Sequence, residues 1–234
     1  MRRPARSGGA AVHSLYTPRP VTDLPIDLAA PLAARLAQAI DAEGKIVRGL
    51  EALGPIRDRD VVLIGIEGGL RARELEAGGS RLRVVDQLPA IGGLPAESAD
   101  VVVAWWSAFR GVTNADLRLA DGVLRPHGRL LVVHDYGRDD VSRLRGDQPE
   151  YGDWSRRDGP FLRSGFRIRV LHCWWTFGSI EEAQAFLGDA FGERGVEVGA
   201  GLKRPRLSYN VAVYHRTRGD GEAPASPRDL EVPV

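Results

Sequence analysis

The chain has little cysteine and no marked excess of charge of either sign. Cys173 is the only cysteine among 234 residues, which excludes an internal disulfide and a cysteine-based zinc cluster. The 32 basic residues nearly balance the 31 acidic ones, so the overall charge does not favour a nucleic acid or an anionic membrane as a partner. No apolar run approaches the roughly 18 residues of a membrane span. These absences predict a chain with no metal site, no nucleic-acid partner and no membrane partner.

The two ends of the chain differ in composition from its middle. Residues 1–20 carry four arginines and no acid, and they lack the apolar core of a secretory signal peptide. They are typical of a disordered basic arm, with an organelle transit peptide as the alternative. The end of the chain is rich in proline and charge, as disordered tails are. The sequence therefore predicts a cytoplasmic protein with one α/β domain over 25–216, between an arm (1–24) and a tail (217–234).

A glycine-rich turn follows the first strongly apolar run. Val61–Ile64 predicts a buried parallel strand, and the residues after the turn predict a helix. In such a unit the glycines let the backbone approach a ligand, and free N–H groups at the helix start face it. A plain strand-to-helix turn that simply needs small residues is the alternative. The residues of the turn are Gly65, Ile66, Glu67, Gly68 and Gly69.

An acid follows the next predicted strand. Leu82–Val85 leads into Asp86, which lies 17 residues beyond Gly69. In a nucleotide-binding βαβ unit, an acid at about 20 residues accepts hydrogen bonds from the ribose hydroxyls. The alternative is an acid that caps the turn before Pro89. The spacing thus predicts, but does not demand, a ribose site at Asp86.

Further strands are predicted along the rest of the chain. Val101–Ala104 is uniformly apolar, which indicates a central strand buried on both faces. Leu207–Tyr214 alternates between apolar and polar residues, which is typical of a strand that returns antiparallel near the edge of a sheet. Together with the helical segments between them, the strands predict a Rossmann-like three-layer α/β sandwich. Its sheet is mostly parallel with an antiparallel C-terminal strand.

These segments resemble a class I S-adenosylmethionine (SAM)-dependent methyltransferase domain over roughly residues 46–216. The most specific match is the helix ending in Leu-Arg-Pro-x-Gly-Arg-Leu at 124–130, followed by a strand. The resemblance implies that the methionine part of SAM lies over the glycine turn and that its ribose bonds Asp86. It also implies that Ala104 and Trp105 border the sulfonium, although core packing is an equal alternative for Trp105. The implied activity is methylation of a small-molecule acceptor.

Three features depart from the pattern of that family. Leu63 stands where the family usually has an acid, and Glu67 replaces the second glycine of the turn. Only 14 residues separate Asp86 from Asp100. Either one αβ unit is missing, or Asp86 belongs to the third strand of the family's pattern. These departures favour the alternative function, a catalytically silent methyltransferase-like domain that serves as a binding or partner protein.

No catalytic constellation is evident in the sequence. His134 ends a predicted strand and is a candidate general base, with a buried, hydrogen-bonded histidine as the alternative. Trp105-Trp106 and Trp174-Trp175 are predicted to line an acceptor pocket. The polar segment 137–160 predicts one helix and a lid. The sequence predicts no oligomeric state.

Overall fold

The computed structural model describes residues 23–219, except Asp147. The predicted arm up to 22 and the predicted tail from 220 onward lie outside the described residues. Thr217, the first residue of that tail, is described and belongs to the last strand, so the ordered domain continues past 216. Asp23 and Leu24, the last two residues of that arm, are described, and Leu24 is buried. The strands are β1 (Asp60–Ile64), β2 (Arg81–Val85), β3 (Ala99–Trp105), β4 (Leu124–Asp135), β5 (Arg167–Thr176) and β6 (Arg206–Thr217). The helices are α1 (Ala30–Ala39), α2 (Lys45–Leu53), α3 (Leu70–Ala77), α4 (Asn114–Val123), α5 (Asp140–Arg145), α6 (Pro149–Ser155), α7 (Pro160–Arg163) and α8 (Ile180–Ala200).

The six strands form one sheet in the order β2-β1-β3-β4-β6-β5. Strands β1 to β4 are parallel, and β6 runs antiparallel to both β4 and β5. Because β6 opposes both neighbours, β5 points the same way as β1 to β4, and their ends share one edge of the sheet. We call this the carboxyl edge. The predicted fold class, a mostly parallel sheet with an antiparallel C-terminal strand, is confirmed.

Strand β2 ends the sheet at the β1 side. It pairs in parallel directly with β1, with Ile64 opposite Val85. The residues between β2 and β3 form a 3-10 helix over Leu88–Gly93 instead of a further strand. Of the two alternatives for this short segment, the missing αβ unit is therefore correct, and Asp86 follows the second strand.

Hydrophobic cores lie on both faces of the sheet, because alternate residues of each strand point to opposite sides. Val61 and Leu63 of β1 pack with apolar residues of α1, α2, α3 and α8. Val62 and Ile64 pack with residues of α4, α6 and α7 on the other face. This arrangement gives the predicted three layers. Burial of apolar surface is the main favourable contribution to their stability, at roughly 25 cal/mol per Å².

Two segments are more complex than the sequence predicted. The segment 137–160 contains α5, α6 and the start of α7, and not only the one predicted helix. Helix α8 reverses direction at Gly192, whose φ of 60° and ψ of −139° are not helical. The two halves then lie antiparallel, so that Gln184 donates to the carbonyl of Gly199. A methyl group on Gly195 would collide with the carbonyl oxygen of Leu187, so this close approach requires glycine.

Candidate functional site

The glycine turn lies at the carboxyl edge, between the ends of β1 and β3. The chain passes from β1 to β2 on one side and to β3 on the other, so this is the point where such sheets bind ligands. Hydrogen bonds to β2 and to the segment after β3 hold the turn: Gly65 N–H donates to the carbonyl of Val85, and Ser107 Oγ donates to the carbonyl of Ile64 at 2.6 Å. Ile66, which is 44% exposed, faces outward from the turn.

An acid of the chain itself occupies the start of the helix after the turn. Asp23 Oδ2 accepts a hydrogen bond from Leu70 N–H, the first residue of α3, at 2.7 Å. The same oxygen lies so close to Gly69 that a side chain there would collide with it. Helix N-termini favour anions because their N–H groups are unpaired and the helix dipole is positive there. The Asp23 carboxylate therefore takes the position that an anionic ligand group would use.

A buried arginine lies beside this acid. Arg71 is only 1% exposed, and its Nε donates to the carbonyl of Asp23 at 3.0 Å. Its Nη1 pairs with Glu74 Oε2 at 2.6 Å. Its Cζ lies 4.7 Å from the ring centroid of Trp105 and 4.9 Å from that of Trp106. The tryptophan pair at the end of β3 thus already contacts a cation of the chain.

The predicted cofactor residues lie along the carboxyl edge but differ in accessibility. Glu67 and Gly68 are exposed in the turn, and Asp86 is exposed at the end of β2. Ala104 and Trp105, by contrast, are buried within β3. The side chain of Trp105 is therefore covered, and its ring contacts Arg71 and Trp106 rather than an open crevice.

A cavity of about 610 Å³ lies beside the glycine turn and the Asp23–Arg71 contact; we call the space over the turn itself the crevice. Its walls come from the segment 25–28, the end of α5, the middle of α8, and Trp106 and Arg110 after β3. Trp106 has a φ of 58°, a left-handed conformation that is uncommon for a bulky residue. Its backbone N–H donates to the carbonyl of Val133, which holds this turn in place. Such backbone strain is often found at binding sites.

The sequence predicted that the two tryptophan pairs line one acceptor pocket. The structure places them apart. Trp105 and Trp175 are sealed in the core. Trp106 lines the 610 Å³ cavity, and Trp174 lines a different cavity of about 720 Å³, where Arg206 stacks on its ring. Only one ring of the four therefore contributes to the cavity beside the glycine turn.

A buried carboxylate lies behind this cavity, and its partners could not be predicted from the sequence. Asp135, at the end of β4, accepts hydrogen bonds from Arg145 Nη1 at 2.6 Å, from the Tyr151 hydroxyl at 2.8 Å and from the Tyr209 hydroxyl. Burial, and then the negative charge of Asp135, raise the pKa of both tyrosines, which keeps them protonated as donors. Arg145 also lines the cavity and donates to the carbonyl of Pro25, so this cluster holds one of its walls.

The candidate base His134 lies beneath the site and not in it. Its side chain is 1% exposed, and its ring packs against Trp154 at 4.6 Å between centroids and against Phe161. Burial lowers the pKa of His134 to about 3, with a smaller contribution from the charge of Arg110. It is not among the residues that line the cavity. The structure places His134 as a neutral core residue.

Burial of neutral His134 is expected to make the protein less stable in mild acid. Below the ordinary pKa of 6.5, unfolded histidine takes up a proton and the folded form does not until about pH 3. The free energy of unfolding should therefore fall by up to about 1.4 kcal/mol per pH unit below 6.5. Urea denaturation at pH 7.5, 6 and 5 measures this slope. His134→Phe should flatten it and the exposed His172→Gln should not; equal slopes in wild type and His134→Phe would contradict the assignment.

Neither a metal site nor a membrane span is found among the described residues. Within 23–219, leaving aside 147, no three His, Cys, Asp or Glu side chains converge as metal ligands would. No helix in this part of the chain combines the length and the apolar character that a membrane crossing requires.

Several solved structures resemble the chain over most of its length. A candidate type II methyltransferase from Anaeromyxobacter dehalogenans is 17% identical with a TM-score of 0.49, over 74% of this chain and 95% of that one. A candidate methyltransferase from Bacillus halodurans C-125 is 11% identical with a TM-score of 0.42, over 74% of this chain and 98% of that one. Geranyl diphosphate methyltransferase, solved with GPP and sinefungin, is 17% identical with a TM-score of 0.40, over 81% of this chain and 82% of that one.

The likeness to these proteins concerns the fold alone. No family model matches the sequence, and no curated protein matches it at significant similarity. The parallel strands, the antiparallel β6 and the flanking helices agree with the resemblance predicted from the sequence. The chain has the mostly parallel, Rossmann-like α/β fold that its sequence predicts. At these identities and TM-scores, the likeness assigns no family, cofactor or substrate to the chain.

Proposed function

We propose that the chain is a catalytically silent methyltransferase-like domain that binds a small molecule beside Trp106. The observation that carries the proposal is the position of Asp23 beside the glycine turn, where such folds bind ligands. Its carboxylate accepts from Leu70 N–H, and its backbone carbonyl accepts from Arg71 Nε. The 610 Å³ cavity next to the crevice has the volume of a small-molecule site. The proposed ligand therefore binds beside the crevice and not in it.

The residues around the glycine turn do not fit SAM. The ligand's carboxylate would need free N–H donors, but Leu70 N–H is already bonded to Asp23. The sulfonium is a cation, and the tryptophan pair that would face it already contacts the guanidinium of Arg71. Arg71 is itself paired with Glu74 and packs on both rings, so a sulfonium would have to compete with it for the tryptophan pair. The missing αβ unit also removes the element that would follow β2 beside the adenine.

A second candidate function is SAM-dependent methylation of a small-molecule acceptor. It is favoured by Asp86, which is exposed at the end of β2 beside the end of β1. That is the position of the ribose-binding acid in a nucleotide-binding βαβ unit. For this function the segment that carries Asp23 has to leave the start of α3.

Calorimetric titration of the full chain with SAM and S-adenosylhomocysteine separates the two functions. We expect no binding to the wild type at about 1 mM ligand, because Asp23 and Arg71 occupy the groups that SAM would use. A dissociation constant above about 1 mM corresponds to a binding free energy weaker than about 4 kcal/mol. Binding at micromolar affinity, lost in Asp86→Ala and retained in the exposed control Asp153→Ala, would instead support the methyltransferase. Near-UV circular dichroism confirms that each variant is folded.

A further inference from the structure

Three arginines from different parts of the chain converge on the 610 Å³ cavity. Arg110 follows β3, Arg145 ends α5, and Arg194 lies in the second half of α8. The lining contains one acid, Asp27, which is exposed. A cavity with this lining attracts anions, because arginine is always charged and presents several N–H donors.

The charges that line the cavity do not cancel. Arg145 is neutralised by Asp135 at 2.6 Å. Arg110 and Arg194 have no carboxylate within ion-pair distance among the described residues. Arg110 lies over the ring of Trp154 at 5.7 Å, and Arg194 donates to the carbonyl of Arg143. Two unpaired arginines against Asp27 leave a surplus of one positive charge.

The rest of the lining is apolar. Ile26 and Leu28 come from the segment after Asp23, Leu144 from α5 and Phe191 from α8, and Trp106 follows β3. Apolar and aromatic walls gain free energy by covering the apolar part of a ligand. The lining thus combines a surface for an apolar body with donors for a single anionic group.

We infer that the cavity binds an organic acid with one carboxylate and an apolar body, held at its carboxylate by Arg110 and Arg194. This inference rests on the proposed function, whose ligand it assigns to a chemical class. The fork of a guanidinium pairs with both oxygens of a carboxylate. A phosphate dianion carries two negative charges, one more than the single positive charge by which the lining is in surplus. A monoanionic carboxylate therefore matches the lining better.

Titration with matched probes tests this assignment on the full chain. The probes are 3-phenylpropionate, its uncharged amide and phenyl phosphate, followed by calorimetry and tryptophan fluorescence at low salt. We expect 3-phenylpropionate to bind about tenfold more tightly than the amide and more tightly than phenyl phosphate. Arg110→Gln and Arg194→Gln should each weaken its binding about fivefold or more. Arg118→Gln, an exposed arginine of α4 on the other side of the sheet, should leave it unchanged.

Several results would overturn the carboxylate site. These are no binding of 3-phenylpropionate, equal binding of acid and amide, tighter binding of phenyl phosphate, or the same loss in Arg118→Gln as in the two cavity variants. The SAM titration is independent of all of them. SAM binding would overturn the proposal of a silent domain, but it would not affect a carboxylate site that has been measured. If only the 3-phenylpropionate titration fails, the proposal of a silent domain is unaffected.

Discussion

Replacing Asp135 by alanine is expected to lower the free energy of unfolding by about 4 kcal/mol. The variant leaves the guanidinium of Arg145, whose side chain is 13% exposed, without its counter-charge. It also leaves the hydroxyls of Tyr151 and Tyr209 without an acceptor, and buried unpaired donors cost about 1–3 kcal/mol each. Urea denaturation at pH 7.5 measures the loss.

One further variant separates the charge of Asp135 from its role as an acceptor, and a second serves as a surface control. Asp135→Asn keeps one acceptor oxygen and is expected to lose less than the alanine variant. Asp153→Ala removes an exposed acid of α6 and should change stability by under about 0.5 kcal/mol. If Asp135→Ala cost no more than Asp153→Ala, the cluster would not contribute as the structure indicates.

Replacing Arg71 by alanine is expected to cost about 3 kcal/mol. The change removes a buried side chain that packs against two tryptophan rings, which leaves a void. It also leaves Glu74 and the carbonyl of Asp23 without their donor. Arg71→Met fills most of the same volume without a charge. It should cost clearly less than the alanine variant, because it keeps the packing against the two tryptophan rings and because Glu74, whose side chain is 32% exposed, can be hydrated. Thermal and urea denaturation compare the two variants.

The contrast between the two Arg71 variants tests how this side chain acts. Equal losses in Arg71→Ala and Arg71→Met would show that the charge matters more than packing. No loss in either would contradict the buried position of the guanidinium. Arg118→Ala, on the exposed face of α4, is the control and should stay within about 0.5 kcal/mol of the wild type.

The sheet could be predicted from the sequence because its strands are continuous apolar runs. Val61–Ile64, Leu82–Val85 and Val101–Ala104 each lie within one or two residues of the observed strand. The alternation in Leu207–Tyr214 also identified the antiparallel strand. The short helices α6 and α7 carried no comparable signal. Helices of four to seven residues are not stable alone and depend on tertiary packing, which a local pattern does not report.

The site was harder to predict than the fold because its partners are distant in the chain. The glycine turn could be located, but Asp23 is 47 residues from Leu70, and Tyr209 is 74 residues from Asp135. No spacing motif links such pairs. Trp106 was identified as an aromatic at a strand end, whereas the three arginines of the cavity come from three separate loops and helices. Only the folded chain shows that they converge.

The missing αβ unit also affects how separate molecules of the protein meet. It leaves β2 as an edge strand of the sheet, with one side of its backbone unpaired among the described residues. Such an edge can pair with the same strand of a second molecule and begin aggregation. Arg83 is exposed on this strand, whereas the exposed Arg81 is paired with Asp60 at 2.7 Å. Side-by-side pairing of two copies would bring the charges of Arg83 close together, which is destabilising. Arg83 therefore protects the edge that the shortened sheet exposes.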